Sequence, residues 1–385
     1  MTKGLVLLMS ITCGLAVANL YYNQPLLADM GRTFHANSHQ VGNISMFTQI
    51  GYAIGMFLFV PLGDMRERRQ LITVLLISVT ISLIAVAAAQ NLLWIYVASL
   101  AVGITTVVPQ VIIPLAAQMA EPEERGKVIG SVMSGLLFGV LLARNVAGFI
   151  GGSFGWRLMY VVATVLMLVL ALILKHFLPK SYPETNLTYR QVLKSIGELI
   201  VTQPTLREAS LVGGLLFGSF SVFWTSLAFY LEGAPFNFGS EVTGLFGLVG
   251  VVGASAAPLV GRLADRFSAK SLVGMFIIIT LLSYLFFGFL GSAVWGIIVG
   301  VILLDLGVQG AQISNQTRIY SLVPGARSRL NTVFMVTYFL GGSLGSSLGS
   351  YAWNIWHWQG VCLTGGMMIV LGFIVWGAHI LKYKD

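Results

Sequence analysis

Two ionisable side chains lie inside long apolar stretches of this 385-residue chain. Asp305 is near the middle of one stretch, and Gln309, Gln312 and Gln316 follow it at i+4, i+7 and i+11. On an α-helix that spacing puts all four on one face over about 16 Å. Arg144 lies in a second apolar stretch. An ionisable group at the centre of a spanning helix costs about 2.5–3.5 kcal/mol on insertion scales, so each needs a reason. The stripe cannot face lipid, because its amides would lose water without compensation. It lines a water-filled cavity or forms a buried seam with a neighbouring helix. A carboxyl in such a cavity is a proton carrier. Arg144 binds an anionic group, partners that acid, or belongs to a structural ion pair. We expect Arg144 and Asp305 to sense each other, directly or through water.

Weaker groupings follow the same logic. Asn19, Tyr22 and Asn23 are spaced i, i+3 and i+4, and so are Ser221, Trp224 and Thr225. Each set shares a helix face, available for solute contacts or for interhelical hydrogen bonds. Trp224 is an apolar wall for a solute or plain packing. Gln49 and Gln110 are isolated amides in apolar surroundings. Small residues recur every fourth position at Gly341, Gly345 and Gly349, and at Ala143 and Ala147. They allow close helix approach, for sliding or for simple tight packing.

The elements that must position these residues follow from composition. Hydrophobic residues make up 56% of the chain and charged residues 9%, against roughly 25% charged in a soluble domain. Most of the surface therefore faces lipid. The apolar runs are continuous and long, which fits helices and not the alternating segments of roughly 10 residues in a β-barrel. Twelve spans are expected near 5–29, 41–62, 71–89, 92–118, 128–152, 157–178, 207–231, 241–261, 271–291, 293–317, 330–351 and 359–381. The stretch 179–204 is polar enough to be a loop with a short amphipathic helix. The organisation expected is a six-helix bundle over 1–178, a cytoplasmic central loop over 179–205 and a second bundle over 206–385.

With both termini in the cytoplasm, only Arg32, Arg144 and Arg157 of the 22 Lys and Arg residues lie away from a cytoplasmic end, as the positive-inside bias requires. The first apolar run lacks a small-residue cleavage site and serves as span 1, not as a signal peptide. Cys13 and Cys362 sit far apart in apolar runs, so a disulfide, a metal site or a thiol nucleophile is not expected. The net charge of +8 follows membrane side, not nucleic-acid binding. No G-x-x-x-x-G-K-[ST] loop for nucleotide phosphates occurs. His35, His39, His176, His357 and His379 all fall near span ends or in loops, so no catalytic cluster at one depth is expected. No loop is long enough to hold the soluble domain that a non-transporting sensor would add.

The chain repeats. Pro61, Leu62, Gly63 and Asp64 through Arg69 follow span 2, and 261–270, with Asp265 and Arg266, follows span 8. Asp265 comes 201 residues after Asp64. Arg125 and Lys127 open span 5, Arg327 and Arg329 open span 11, and Trp156 and Trp358 pair in the same way, all 202 residues apart. Six spans are followed by six more of the same order.

Leu62, Gly63, Asp64, Arg68 and Arg69 resemble the loop signature of the major facilitator superfamily, G-x-L-A-D-R-x-G-R-R, and 261–270 resembles its second copy. Ala143, Ala147, Gly148, Gly151 and Gly152 resemble the span 5 signature of its antiporter branch. Departures are Val60, Met65 and Glu67 in the loop, Gly148 for a proline, and Ser99 where that branch often carries an arginine before Gly103. The resemblance covers the whole chain and is closest to twelve-span drug:proton antiporters and sugar-efflux proteins.

It implies an all-α polytopic fold in two six-helix repeats and proton-driven efflux of a small organic solute or drug by alternating access. Import or facilitation of a sugar or amino acid is the second reading. The cavity is implied to be lined by spans 1, 4, 7 and 10, and so by Asn19, Tyr22, Asn23, Gln110, Ser221, Trp224, Thr225, Gln309 and Gln312, with Gln49 beside them. Asp305 and Arg144 are the implied proton-coupling pair. Gating falls to Asp64, Arg68, Arg69, Asp265 and Arg266. The implied setting is a monomer in the bacterial inner membrane, in contact with lipid and protons. Its energy source is the proton gradient, with no cofactor.

Overall fold

The computed structural model describes residues 2–63, 65–121, 123–182, 188–250, 260, 262–263, 266–323 and 325–382. Among them every regular element is helical. In chain order these are α1 (Lys3–Ala18), a 3-10 turn (Gln24–Leu26), α2 (Leu27–Phe34), α3 (Ser38–Gly63), α4 (Arg68–Ala87), α5 (Leu92–Thr105), α6 (Val108–Met119), α7 (Arg125–Phe154) and α8 (Trp156–Phe177). Then come α9 (Tyr189–Thr202), α10 (Pro204–Glu232), α11 (Ser240–Val249), α12 (Ala269–Leu290), α13 (Val294–Tyr320) and α14 (Arg327–Lys382). Nine stretches among the described residues are long and apolar enough to span, with α5 and α6 forming one of them. One of the nine, α14, is two helices joined at His357 (φ 50°, ψ −143°). With the shorter apolar helices α1 and α11, this is the twelve-span architecture expected.

Two spans are broken where the sequence suggested continuous helices. In span 1, Pro25 has no N–H for the Tyr21 carbonyl, and Gln24 N–H takes it at 3.3 Å. The bonds before it also reach back only three residues, from Asn19, Leu20 and Tyr21. In span 4, Pro109 has no N–H for Thr105, and α5 stops there before α6 begins. Spans 11 and 12 differ in the other sense: the turn expected between them is only the kink at His357. Most of the part of expected span 8 that follows α11 lies outside the described residues.

Helix starts follow local chemistry. Glu67 caps α4 by accepting from Arg69 and Gln70 N–H, both at 2.9 Å. Asn91 caps α5, and Thr188 with Gln191 forms a reciprocal capping box on α9. Glu67 thus holds a helix end where the signature has glycine.

Glycine pairs set the closest crossings. A Cβ at Gly139 would run into Gly14 O, so α1 and α7 meet backbone to backbone. Gly341 and Gly345 sit in the same way on Gly214 and Gly218 of α10, and Gly349 sits on Val222. Span 5 therefore seats against span 1 as span 11 seats against span 7. The 341/345/349 stripe serves tight packing within the last six spans.

Candidate functional site: a buried arginine and aspartate

Arg144 and Asp305 come from different sixes of spans, on α7 and α13, and are 2% and 5% exposed. Both reach α11. A Cβ at Gly247 would stand 3.0 Å from Arg144 Cβ, and one at Gly250 would stand 2.9 Å from Asp305 Oδ2. Both side chains thus lie along the same short segment, where opposite charges attract strongly in a low-dielectric interior. No ion pair joins them directly among the described residues. Arg144 Nη2 and Asp305 Oδ2 are buried with no hydrogen-bond partner.

The guanidinium is otherwise well held. Its Nε donates to Gln24 Oε1 at 2.6 Å, and Gln24 is placed by the break in span 1. Its Cζ lies 3.9 Å from the Trp224 ring centroid, 4.9 Å from Tyr21 and 5.6 Å from Phe220. A desolvated cation over an aromatic face gains about 2 kcal/mol or more. That offsets part of a burial cost of several kcal/mol per ion. Phe220 continues to Phe217 at 5.4 Å, which stacks on Tyr338 at 4.1 Å. Tyr338 and Tyr21 are also within electrostatic range of Asp305.

The other residues singled out by sequence lie around this centre or away from it. Gln49 crosses between the two sixes: its amide donates to Ser346 Oγ at 2.8 Å, and its carbonyl accepts from Ser221 Oγ at 3.3 Å. Thr225 bonds the same Ser346 at 3.0 Å. Gln110 donates to the Tyr52 hydroxyl at 3.2 Å. Gln312 accepts from the Tyr338 hydroxyl at 3.1 Å, and Gln316 donates to Asn331 at 3.2 Å. Those two amides form a seam from α13 to α14, while Gln309 is half-buried on the same stripe.

Asn19, Tyr22 and Asn23 do not share one face. Asn19 contacts Met167 of α8 at 3.4 Å, and Asn23 bonds Thr48 and Ser45 of α3 at 3.2 and 2.9 Å. Tyr22 lines a lateral groove of about 1000 Å³ between α1, α7 and α8. Residues 19–21 carry 3-10 bonding, so the α-helical spacing rule does not apply to them. Tyr21 points to Arg144 instead.

Of the residues expected to gate, Asp64 and Asp265 lie outside those described. Arg68 donates to Gly63 O at 2.7 Å and to Gln118. Arg69 reaches Leu178 O at 3.3 Å, and Arg266 is exposed. At the opposite end Arg32 of α2 pairs with both Asp29 and Glu232 of α10, joining the two sixes.

The sequence profile of the Major Facilitator Superfamily matches residues 8–346 and again 236–382. The chain belongs to the major facilitator superfamily. It is therefore a multi-pass membrane transporter of that class. Its relatives agree. The "Uncharacterized transporter YgaY" of Escherichia coli O157:H7 is 42% identical over 98% of this chain and 95% of its own length. A Streptomyces coelicolor protein named as a probable transporter, SCO4007, is 33% identical over 95% and 85%. A crystal structure of the peptide transporter POT in complex with sulfate superposes with a TM-score of 0.77, covering 98% of this chain and 94% of that one, at 14% identity. At that identity the likeness concerns the fold alone.

Sequence reasoning missed several parts of this transporter's centre. Gln24 carried a usable signal, being an amide beside Pro25 within an apolar stretch. Tyr21, Phe217 and Tyr338 carried none, because aromatics are common throughout the spans. An ion pair was also missed. Arg318 of α13 meets Glu208 of α10 bidentately at 3.2 and 2.6 Å. Both lie near span ends, where charge reads as loop.

Proposed function

We propose that this transporter is a proton-coupled antiporter that exports a small organic solute by alternating access. One observation carries the reading. Asp305 and Arg144, brought from opposite sixes of spans, are buried opposite charges, each with an unpartnered polar atom. Breaking a buried charge pair by removing one partner costs about 3–5 kcal/mol. Protonating Asp305 removes its charge and leaves Arg144 uncompensated, so proton uptake changes the relative stability of the two arrangements of the sixes. Asp305 is the proton carrier in this reading, and Arg144 is its fixed counter-charge.

The two bundles, 1–178 and 206–385, are the rocking units. Their contacts run from His39 against Tyr351 and Gly42 against Ser350 to Tyr52 against Phe339. These contacts favour a state closed at the Arg32 end. With both termini in the cytoplasm of a bacterial inner membrane, that state opens inward. The membrane potential supplies about 2.3 kcal/mol per charge per 100 mV.

The test is reconstitution in liposomes holding a pH-sensitive dye, with an imposed proton gradient and a panel of cationic dyes, sugars and amino acids. One solute class is expected to move protons in the counter direction, and Asp305→Asn is expected to abolish that movement. Solute flux with no proton movement in either protein would sink the reading.

A further inference from the structure

Two sets of opposite charges among the described residues differ in how their valences are used. Arg318 meets Glu208 bidentately and also donates to Asn315 at 2.9 Å, so that pair is closed on itself. Arg144 and Asp305 are both buried and not directly paired, and Arg144 Nη2 and Asp305 Oδ2 have no partner. A buried polar atom left unsatisfied costs about 1–3 kcal/mol, and more when charged. Trp224 Nε1, on the indole that stacks on the guanidinium, is also buried and unpartnered. Two donors and one acceptor are thus unsatisfied within a single charged, aromatic-walled locus.

The geometry points to a zwitterionic solute, an α-amino acid with an apolar side chain, whose carboxylate is taken by Arg144 and whose ammonium is taken by Asp305. A guanidinium offers a carboxylate a planar fork of donors, and the indole N–H adds another. A carboxylate oxygen is the natural acceptor for an ammonium. Phe217 and Phe220, 5.4 Å apart, supply an apolar wall for the side chain. A Cβ at Gly247 of α11 would crowd Arg144 Cβ, and one at Gly250, just past α11, would crowd Asp305 Oδ2, so glycine at both positions leaves the two charged side chains their room. Charge balance favours the same class. A zwitterion adds no net charge to a site that already holds one cation and one anion, whereas a lone cation or anion leaves one buried charge uncompensated.

The inference deepens the antiport reading and rests on it for coupling: ammonium and proton compete for the same carboxylate, so one leaves as the other arrives. The titratable groups within electrostatic range of that carboxylate are Arg144 of α7, Tyr21 at the break in span 1, and Tyr338 of α14.

The test is equilibrium binding of radiolabelled L-phenylalanine to the full chain in nanodiscs, at fixed pH and without a gradient. The competitors are L-leucine, N-acetyl-L-phenylalanine and L-phenylalaninamide. Both free amino acids are expected to displace the label, and each blocked analogue to be weaker by about tenfold or more, because it leaves a buried charge unmatched. Asp305→Asn should narrow the gap for the N-acetyl form alone, and Arg144→Gln the gap for the amide alone. Absence of label binding, or equal competition by the blocked forms, overturns the proposal, and needs no variant to fold. Selective binding without proton counter-flow in liposomes supports the solute class and defeats the coupling reading. Proton counter-flow with a cationic dye, and no amino acid bound, does the reverse.

Discussion

Arg144 is a guanidinium that has given up water for one amide and three aromatic rings, so its remaining compensation is the charge of Asp305. That arrangement makes a testable demand on stability. Arg144→Gln and Asp305→Asn each leave a buried charge without its opposite, at about 3–5 kcal/mol. The double variant removes both and should unfold at a higher temperature than either single variant. A thermal double-mutant cycle in detergent checks this, and strictly additive losses would show that the two residues do not sense each other. Both residues were conspicuous in the sequence, because an ionisable group among apolar ones stands out by cost alone. The rest of the cage was not. Tyr21 and Phe220 are aromatic in a chain that is 11% aromatic, and only the fold shows which rings meet the cation.

At the scale of elements, helices were readable from apolar run length, and their interruptions were under-read. Pro25 and Pro109 were visible in the sequence, yet a proline in a spanning helix is often absorbed as a kink, since neighbours can re-satisfy the freed carbonyl. Here each leaves a true break. The assumption of continuous α-geometry turned Asn19, Tyr22 and Asn23 into one face, and 3-10 bonding sends them to α8, the lateral groove and α3. The glycine stripe of span 11 was read correctly as a contact, but its partner needed the fold. Gly345→Leu should force apart α14 and α10, where Gly345 faces Gly218 O. Overpacking of this kind costs about 1–3 kcal/mol, occasionally more. Detergent-solubilised protein should show a lowered Tm and early elution on gel filtration. An unchanged Tm would mean that the crossing is not tight.

Across the whole molecule, the repeat offset of about 202 residues is mirrored in packing. Span 5 seats on span 1, and span 11 on span 7, through small residues in both cases. The contacts between the two sixes gather toward the Arg32 end, and they combine an exposed ion pair with the buried Gln49, Ser221, Thr225 and Ser346 cluster. Sequence named Gln49 but could not give its partners, since Ser346 is 297 residues away. Gly42 and Ser350 are close enough that a Cβ on the glycine would meet the serine Cβ. In a chain with Cys13 and Cys362 replaced by alanine, Gly42→Cys with Ser350→Cys should form a disulfide under mild oxidant. Transport should stop on oxidation and return on reduction. Undiminished transport with the bond formed would mean that these surfaces never separate in the cycle.

The interruption of span 1 has a mechanical consequence. A continuous helix is a stiff rod that transmits both bending and torque along its length. Residues 19–23 replace that rod with a pivot, a few short-range bonds between α1 and α2. Below the pivot, α1 is clamped to α7 at Gly14. Above it, α2 is tethered to α10 through Arg32 and Glu232. The two segments therefore answer to different masters, one inside its own bundle and one across the divide. Gln24, seated at the pivot with its amide oxygen on Arg144, is where any disagreement between them is felt first.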